Sequence, residues 1–381
     1  MLGLSGASTA DGIPLRMFGD FMRKARYVLY WEDVQERLIY AQLDDYAWKL
    51  PERMLGYKKG SSLYIYHHQK LAAFYHPDDI AREARAGYRF YRSKANVDRV
   101  IGMKKEVAEG VQAHATACRR VDVPRLEDRA LHDWLMKTVT LYHRALSTHY
   151  LTQPQFFERF EKGAGRQTHQ ESLDRLARAR LAYTRAAWTK AMQLSKPFFA
   201  EYARRHGLTR EQAESLTLEE LRADDIRPAA LEQRVEKYVL DSDFHKIRVF
   251  TGDAVDAYIR RYEDYQGISE VRGFVAQRGV AQGRAFVVSN ENLDLRRLPQ
   301  GMKKGMVLVV QNTWPEFELY YEKASAIVAN EGGITSHGVV VAGELGIPCI
   351  VGTKIATHVF KSGDTVSVDA NTGTVRILRR A

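Results

Sequence analysis

The stretch Glu331-Gly332-Gly333-Ile334-Thr335-Ser336-His337-Gly338-Val339-Val340-Val341-Ala342-Gly343-Glu344-Leu345-Gly346-Ile347-Pro348 decides how the C-terminal part of this chain is read. It follows the apolar run Ala326–Ala329, passes through two glycines, and sets Thr335, Ser336 and His337 just ahead of an apolar segment that Gly346 and Pro348 bring to an end. That order predicts strand, loop, helix and strand, with the histidine at the helix N-terminus. Paired glycines let backbone N–H groups turn inward as an anion-binding nest, and a helix start adds more unpaired N–H groups and a positive dipole end. Phosphate is the natural guest. The same dipole end disfavours an imidazolium, so His337 is expected as a neutral nucleophile able to attack phosphorus. For the short motif alone, a turn histidine that merely hydrogen-bonds a carbonyl is an equally good reading.

Working outward, the flanks are short, apolar and bounded by turn residues. Gly283–Val288, Met306–Val310, Ala326–Ala329, Cys349–Val351 and Thr365–Val368 are expected strands, and Asn371-Thr372-Gly373 turns the last of them into Val375–Leu378. Residues 272–381 are therefore expected as a compact domain of mixed strands and helices. From residue 93 to 267 the period is helical, with Leu131, Leu135, Val139, Tyr142 and Leu146 in one stripe and Leu173, Ala177, Leu181, Trp188 and Met192 in another. Thr217-Leu218-Glu219-Glu220 has the spacing of a capping box. Residues 1–92 are rich in aromatics. There Tyr27–Trp31 and Leu63–His67 are expected as strands, Leu71–Tyr75 as the partner in a hairpin, and Pro77-Asp78-Asp79 as a helix start.

Composition narrows the function classes. The 381 residues are 45% hydrophobic and 27% charged, as in a folded globular protein, and no apolar run is long enough to span a membrane. Met1–Gly6 lacks the basic and apolar pattern of a secretory signal, so a cytoplasmic protein is expected. Cys118 and Cys349 are the only cysteines and stand without metal-ligand spacing, so neither a disulfide framework nor a zinc site is expected. The net charge of +10 would suit a polyanion, but residues 272–381 hold 13 Lys and Arg against 9 Asp and Glu, and acids are interleaved throughout. Nucleic acid is not an expected partner. His67, His68 and His76, the arginines at 175, 178, 180 and 185, and His358 receive only surface or core roles.

With its flanks, the opening stretch resembles the swivelling phosphohistidine domain of the phosphoenolpyruvate-utilising enzymes. The family includes phosphoenolpyruvate synthase, pyruvate phosphate dikinase, rifampicin phosphotransferase and enzyme I of the sugar phosphotransferase system. The likeness runs from about Gly273 to Leu378 through Gly279–Ala285, Thr313-Trp314-Pro315-Glu316, Ala326-Ile327-Val328, Glu331-Gly332-Gly333, Thr335-Ser336-His337, Glu344–Pro348 and Gly363–Asp369. It implies a β/β/α sandwich, phosphorylation of His337, and phosphate contacts from Gly332, Gly333, Thr335 and Ser336. Two positions depart from the family pattern. Gly343 stands where an arginine is usual, and Gly338 where alanine or threonine is commoner.

The fold expected is thus α+β and multidomain: a small α+β piece over 1–92, a helical domain over 93–267, and the phosphohistidine domain over 272–381. Residues 1–270 look too few and too helical for an ATP-grasp domain or a phosphoenolpyruvate-binding barrel. The resemblance therefore implies a phosphotransferase subunit whose donor site, with most of the grip on Mg²⁺, lies on a separate protein, and whose acceptor is a small molecule. Pivoting is expected near Tyr265–Ile268. The competing expectation, prompted by Gly343, is a non-catalytic interaction or regulatory protein that keeps the domain's shape.

Overall fold

The computed structural model of the protein describes residues 27–34, 37–161, 165–243, 247–288, 300–331 and 337–381. Two compact units result: among the described residues, one holds 27–28 and 37–258 and the other 29–34 and 259–381.

The elements of the first part are β1 (Val28–Val34), α1 (Leu38–Ala47), α2 (Lys49–Leu55), β2 (Ser62–His67), β3 (Lys70–Tyr75), α3 (Pro77–Tyr91), α4 (Lys94–Cys118), α5 (Asp128–Tyr150), α6 (Gly165–Ala179), α7 (Arg185–Arg205), α8 (Leu218–Ala223), α9 (Pro228–Glu236), β4 (Lys237–Ser242), β5 (Ile247–Phe250) and α10 (Asp253–Tyr262). The expected strands, hairpin and helix start over 27–79 are all present. His76 caps α3, its side chain accepting from the Asp78 N–H at 3.2 Å, and the Thr217–Glu220 capping box closes reciprocally at the start of α8.

The boundary expected at residue 92 is not there. Strand β2 pairs antiparallel with β3 on one side and with β4 on the other, so that Ile65 faces both Ala72 and Val239. A central strand must satisfy the N–H and C=O groups along both of its edges. Only the strand that follows the helices can fill the second edge. The strand order β3-β2-β4-β5 therefore joins the N-terminal piece and the helical region in one unit.

Within the helices, the stripe from Leu131 to Leu146 on α5 is buried as expected. The second stripe fails at Leu181, which is 81% exposed. Residues Arg180–Thr184 form a π-helical turn between α6 and α7. A π turn adds a residue and rotates the helix beyond it. Leu176, Ala179, Thr184, Ala187 and Ala191 take the buried positions instead.

In the second unit the elements are β6 (Glu270–Arg272), β7 (Phe274–Gln277), β8 (Val280–Val288), β9 (Met306–Val310), β10 (Ala324–Ala329), α11 (His337–Leu345), β11 (Cys349–Val351), α12 (Ala356–Val359), β12 (Thr365–Asp369) and β13 (Thr374–Arg379). All six strands expected here are present, and β6 and β7 are added. The order is β6-β13-β12-β8-β9-β10-β11-β7. Strands β8 to β11 run parallel, and the remaining pairs are antiparallel. Alternate residues of β9 face opposite cores: Val307 and Val309 pack with Val328, Ile350 and Val366, while Leu308 and Val310 pack with Ile327, Tyr321 and Val351. Burial on both faces explains why these strands read as unbroken apolar runs.

Strands β6 and β7 stand at opposite ends of that order yet are separated only by Gly273, so the sheet curls back toward itself. At this seam a Cβ on Gly273 would lie 2.6 Å from the Val351 carbonyl oxygen, and the Gly273 N–H donates to Gly373 O at 3.0 Å. The stretch expected as a pivot belongs to this unit. Tyr265 and Ile268 pack on its core, and the Tyr265 ring stacks on His358 with centroids 4.7 Å apart.

Because no side chain fits at the seam, Gly273→Ala is expected to destabilise the chain by about 1–3 kcal/mol. Gly110 on α4 meets nothing within 4 Å, so Gly110→Ala should add about 0.5–1 kcal/mol. Urea unfolding of the two variants beside the unsubstituted chain checks both signs.

Candidate active site

In the second unit the parallel strands β9, β10 and β11 end at Val310, Ala329 and Val351. Ligands of open α/β sheets gather beyond such carboxyl ends. The residue following each of the first two strands turns polar, as Gln311 and Asn330. Both are fully buried. Asn330 Nδ2 donates to Gln311 Oε1 and to Thr357 Oγ1, each at 2.6 Å, while Asn330 Oδ1 accepts from the Thr357 N–H at 3.1 Å and from Thr353 Oγ1 at 3.3 Å. The Thr353 hydroxyl also donates to Ala329 O at 3.0 Å. One carboxamide thus ties the end of β9, the end of β10, the turn after β11 and the first turn of α12.

This junction also holds Glu331, the residue that follows Asn330. The Glu331 N–H donates to Gln311 O at 2.9 Å, and Glu331 Oε1 accepts from Gln311 Nε2 at 3.0 Å. Opposite, the Lys354 N–H donates to Asn330 O at 3.0 Å, with Lys354 held at a left-handed φ of 68°. Burial pushes the Lys354 ammonium below its ordinary range, and the Glu331 carboxylate opposes that shift. A lysine and a glutamate therefore face one another across the start of the loop.

Of the residues singled out from sequence, His337 is the first residue of α11, where a helix N-terminus was expected. Gly332, Gly333, Thr335 and Ser336 lie outside the described residues. On α11, Ala342 is buried and Val339 and Val341 pack on the core, while Val340 and Leu345 are exposed. The two departures from the family pattern have different physical standing. A Cβ on Gly338 would lie 2.5 Å from Thr313 Cγ2 and 2.7 Å from Thr313 Cβ, so Thr313 leaves no room there for alanine or threonine. Gly343 is exposed and meets nothing within 4 Å, so the missing arginine leaves bare surface.

Sequence reasoning missed Gln311, Asn330, Thr353, Lys354 and Thr357. The available signal was a polar residue placed immediately after each of two buried apolar strands, which must either find buried partners or not be buried at all. The residues given bland roles keep them. Burial pushes the Cys349 thiol up to about 12; His67 and His68 meet edge to face; and Arg175 pairs with Asp98 at 2.7 Å. Among the described residues no group of three or more His, Cys, Asp or Glu is placed to hold a metal ion. No described helix is long and apolar enough to cross a membrane.

Comparison with known proteins places this geometry. The family model described as "PEP-utilising enzyme, mobile domain" matches residues 302–373, which contain Gln311, Asn330, His337 and Thr357. The chain is 47% identical over 105 residues to the phosphoenolpyruvate synthase of Aeropyrum pernix, covering 28% of this chain and 12% of that one. It is 33% identical over 180 residues to a probable phosphoenolpyruvate synthase of Archaeoglobus fulgidus, covering 46% and 23%. It is 26% identical over 170 residues to the uncharacterized phosphotransferase YvkC of Bacillus subtilis, covering 41% and 20%. The chain thus spans less than a quarter of the length of these relatives. The strand ends, the buried amide junction and the histidine at the head of α11 all fall inside the stretch, residues 302–373, that is similar to the mobile domain of the phosphoenolpyruvate-utilising enzymes.

Proposed function

We propose that this chain is a phosphotransferase subunit that carries a phosphoryl group on His337 from a nucleotide or phosphoenolpyruvate donor site, on a separate protein, to a small-molecule acceptor in the cytoplasm. The observation that carries the proposal is the position of His337 as the first residue of α11, seven residues after Asn330 and its junction at the carboxyl end of β10. On loading, a neutral imidazole nitrogen attacks the donor phosphorus in line. The N–P bond forms as the bond from phosphorus to the leaving oxygen breaks, and that oxygen keeps the electron pair. On unloading, the acceptor's hydroxyl oxygen bonds to phosphorus, the N–P pair returns to the ring, and the hydroxyl proton passes to a base at the acceptor site. The N–H groups of Gly332 and Gly333 and the hydroxyls of Thr335 and Ser336 are the proposed donors to the phosphoryl oxygens. The Mg²⁺ expected of such chemistry is assigned mainly to the donor site on the separate protein, where it would offset the charge on the transferred group.

One other reading has its own observation. The bare surface at Gly343 favours an interaction protein that keeps the domain's shape without transfer. In that case His337→Ala would leave the output of the intact system unchanged.

On the transfer reading, His337→Ala abolishes phosphoryl transfer by the reconstituted system while unfolding in urea within about 1 kcal/mol of the unsubstituted chain. Substitution at the junction acts on both properties. Asn330→Ala leaves the Thr357 N–H without its acceptor in a buried place and takes from Gln311 Oε1 the closer of its two donors, so it should cost about 2–3 kcal/mol and slow the phosphorylation of His337. Asn330→Asp keeps an acceptor for Thr357 but loses both amide donors, and it should fall between the two. Denaturant midpoints and single-turnover rates with the cognate donor separate these outcomes.

A further inference from the structure

A phosphoryl group on His337 brings about two negative charges to a part of the second unit that is short of cations. From Met306 to Thr353 the chain has one lysine, Lys323, and no arginine, against Glu316, Glu318, Glu322, Glu331 and Glu344. Lys323 lies at the wrong end of the sheet. It immediately precedes β10, where its carbonyl accepts from the Gly305 N–H at 2.8 Å. The length of that strand sets it about 20 Å from the Asn330 junction. The next basic residue in the chain is Lys354.

Lys354 stands at the junction itself. Its N–H donates to Asn330 O at 3.0 Å, so its backbone lies beside the peptide bond that joins Asn330 to Glu331. It is half-buried, and the Glu331 carboxylate is the charge that acts on its ammonium. At a φ of 68° a lysine is strained where a glycine would not be, so its side chain is kept against the local backbone preference. Glu331 and the residue after His337 are held in turn on one short segment. The Glu331 N–H donates to Gln311 O at 2.9 Å and Glu331 Oε1 accepts from Gln311 Nε2 at 3.0 Å. Gly338 packs so closely on Thr313 that a Cβ there would lie 2.5 Å from Thr313 Cγ2. Gln311 and Thr313 are two residues apart, at most about 7 Å. The Glu331 charge therefore stands near the backbone that carries His337, within the range over which half-buried charges interact.

We propose that Lys354 is a positioning residue for phosphoryl transfer, its ammonium cancelling the Glu331 carboxylate so that a phosphoryl group arriving at His337 meets no uncompensated charge from this junction. The inference rests on the transfer reading and adds a residue which that reading does not use. A carboxylate left alone here would repel the phosphoryl oxygens as they approach the ring. Lys354 acts through Glu331 and needs no contact with the phosphoryl group.

Phosphoramidate, which phosphorylates histidine without a protein donor, tests the assignment on the full chain. The ring nitrogen bonds to phosphorus as the P–N bond of the reagent breaks and ammonia leaves, and peptide mapping follows the label on His337. Lys354→Gly is expected to slow labelling about tenfold. The same variant should unfold at an equal or higher urea concentration, because glycine relieves the left-handed backbone. Lys354→Arg keeps the charge and should label at close to the unsubstituted rate. Lys354→Gly combined with Glu331→Gln should regain most of the lost rate, since the charge to be cancelled is gone. Three results overturn the assignment while leaving His337 as the acceptor: a Lys354→Gly chain that labels at the unsubstituted rate, one whose slow labelling comes with a lowered urea midpoint, or a double variant that stays slow. Slow labelling by Lys354→Arg overturns it as well, because charge is then not what Lys354 supplies. No label on His337 in the unsubstituted chain overturns the transfer reading and this inference with it.

Discussion

The second unit depends on how one buried side chain, Asn330, is satisfied. Two parallel strands end side by side, and the chain leaves each of them through a polar residue with no access to water. Without partners these amides would cost several kcal/mol each. The carboxamide of Asn330 meets Gln311 and Thr357 through its nitrogen and Thr353 and Thr357 through its oxygen, so the strand ends, the turn after β11 and the start of α12 are fixed together. His337 follows this fixed point by seven residues in the sequence. The junction is held by a few neutral, buried hydrogen bonds.

Much of this unit was legible in the sequence. A strand buried on both faces reads as a continuous apolar run, and β9 to β11 do so because each side of the sheet has its own core. The helix after Ser336 was legible from the spacing between His337 and Gly346. The Asn330 junction was not, because its members come from four separate segments and no local pattern links Gln311 with Thr357. The collision between Gly338 and Thr313 is of the same kind. What the sequence presents as an odd glycine is half of a packing pair whose other half is 25 residues earlier.

The first part of the chain was harder to read for two physical reasons. Periodicity reports which face of a helix is buried, yet it carries no information on which strands pair, so β4, 170 residues or more after β2 in the chain, could not be assigned to the same sheet. The π turn at Arg180–Thr184 then broke the very periodicity that the helix assignment used, leaving Leu181 in water and moving the buried stripe onto smaller residues. Capping chemistry is local and proved readable: the helix start at Pro77 and the Thr217–Glu220 capping box each act within a few positions.

The central claim is that His337 takes and gives up a phosphoryl group. Its most direct measurement is the site and chemistry of the label after the intact chain is incubated with its donor protein and labelled ATP or phosphoenolpyruvate, followed by peptide mapping. The account predicts one label per chain, on His337, lost in acid and stable in base as a phosphoramidate is. A label on another residue, an acid-stable label, or no label from either donor would contradict it.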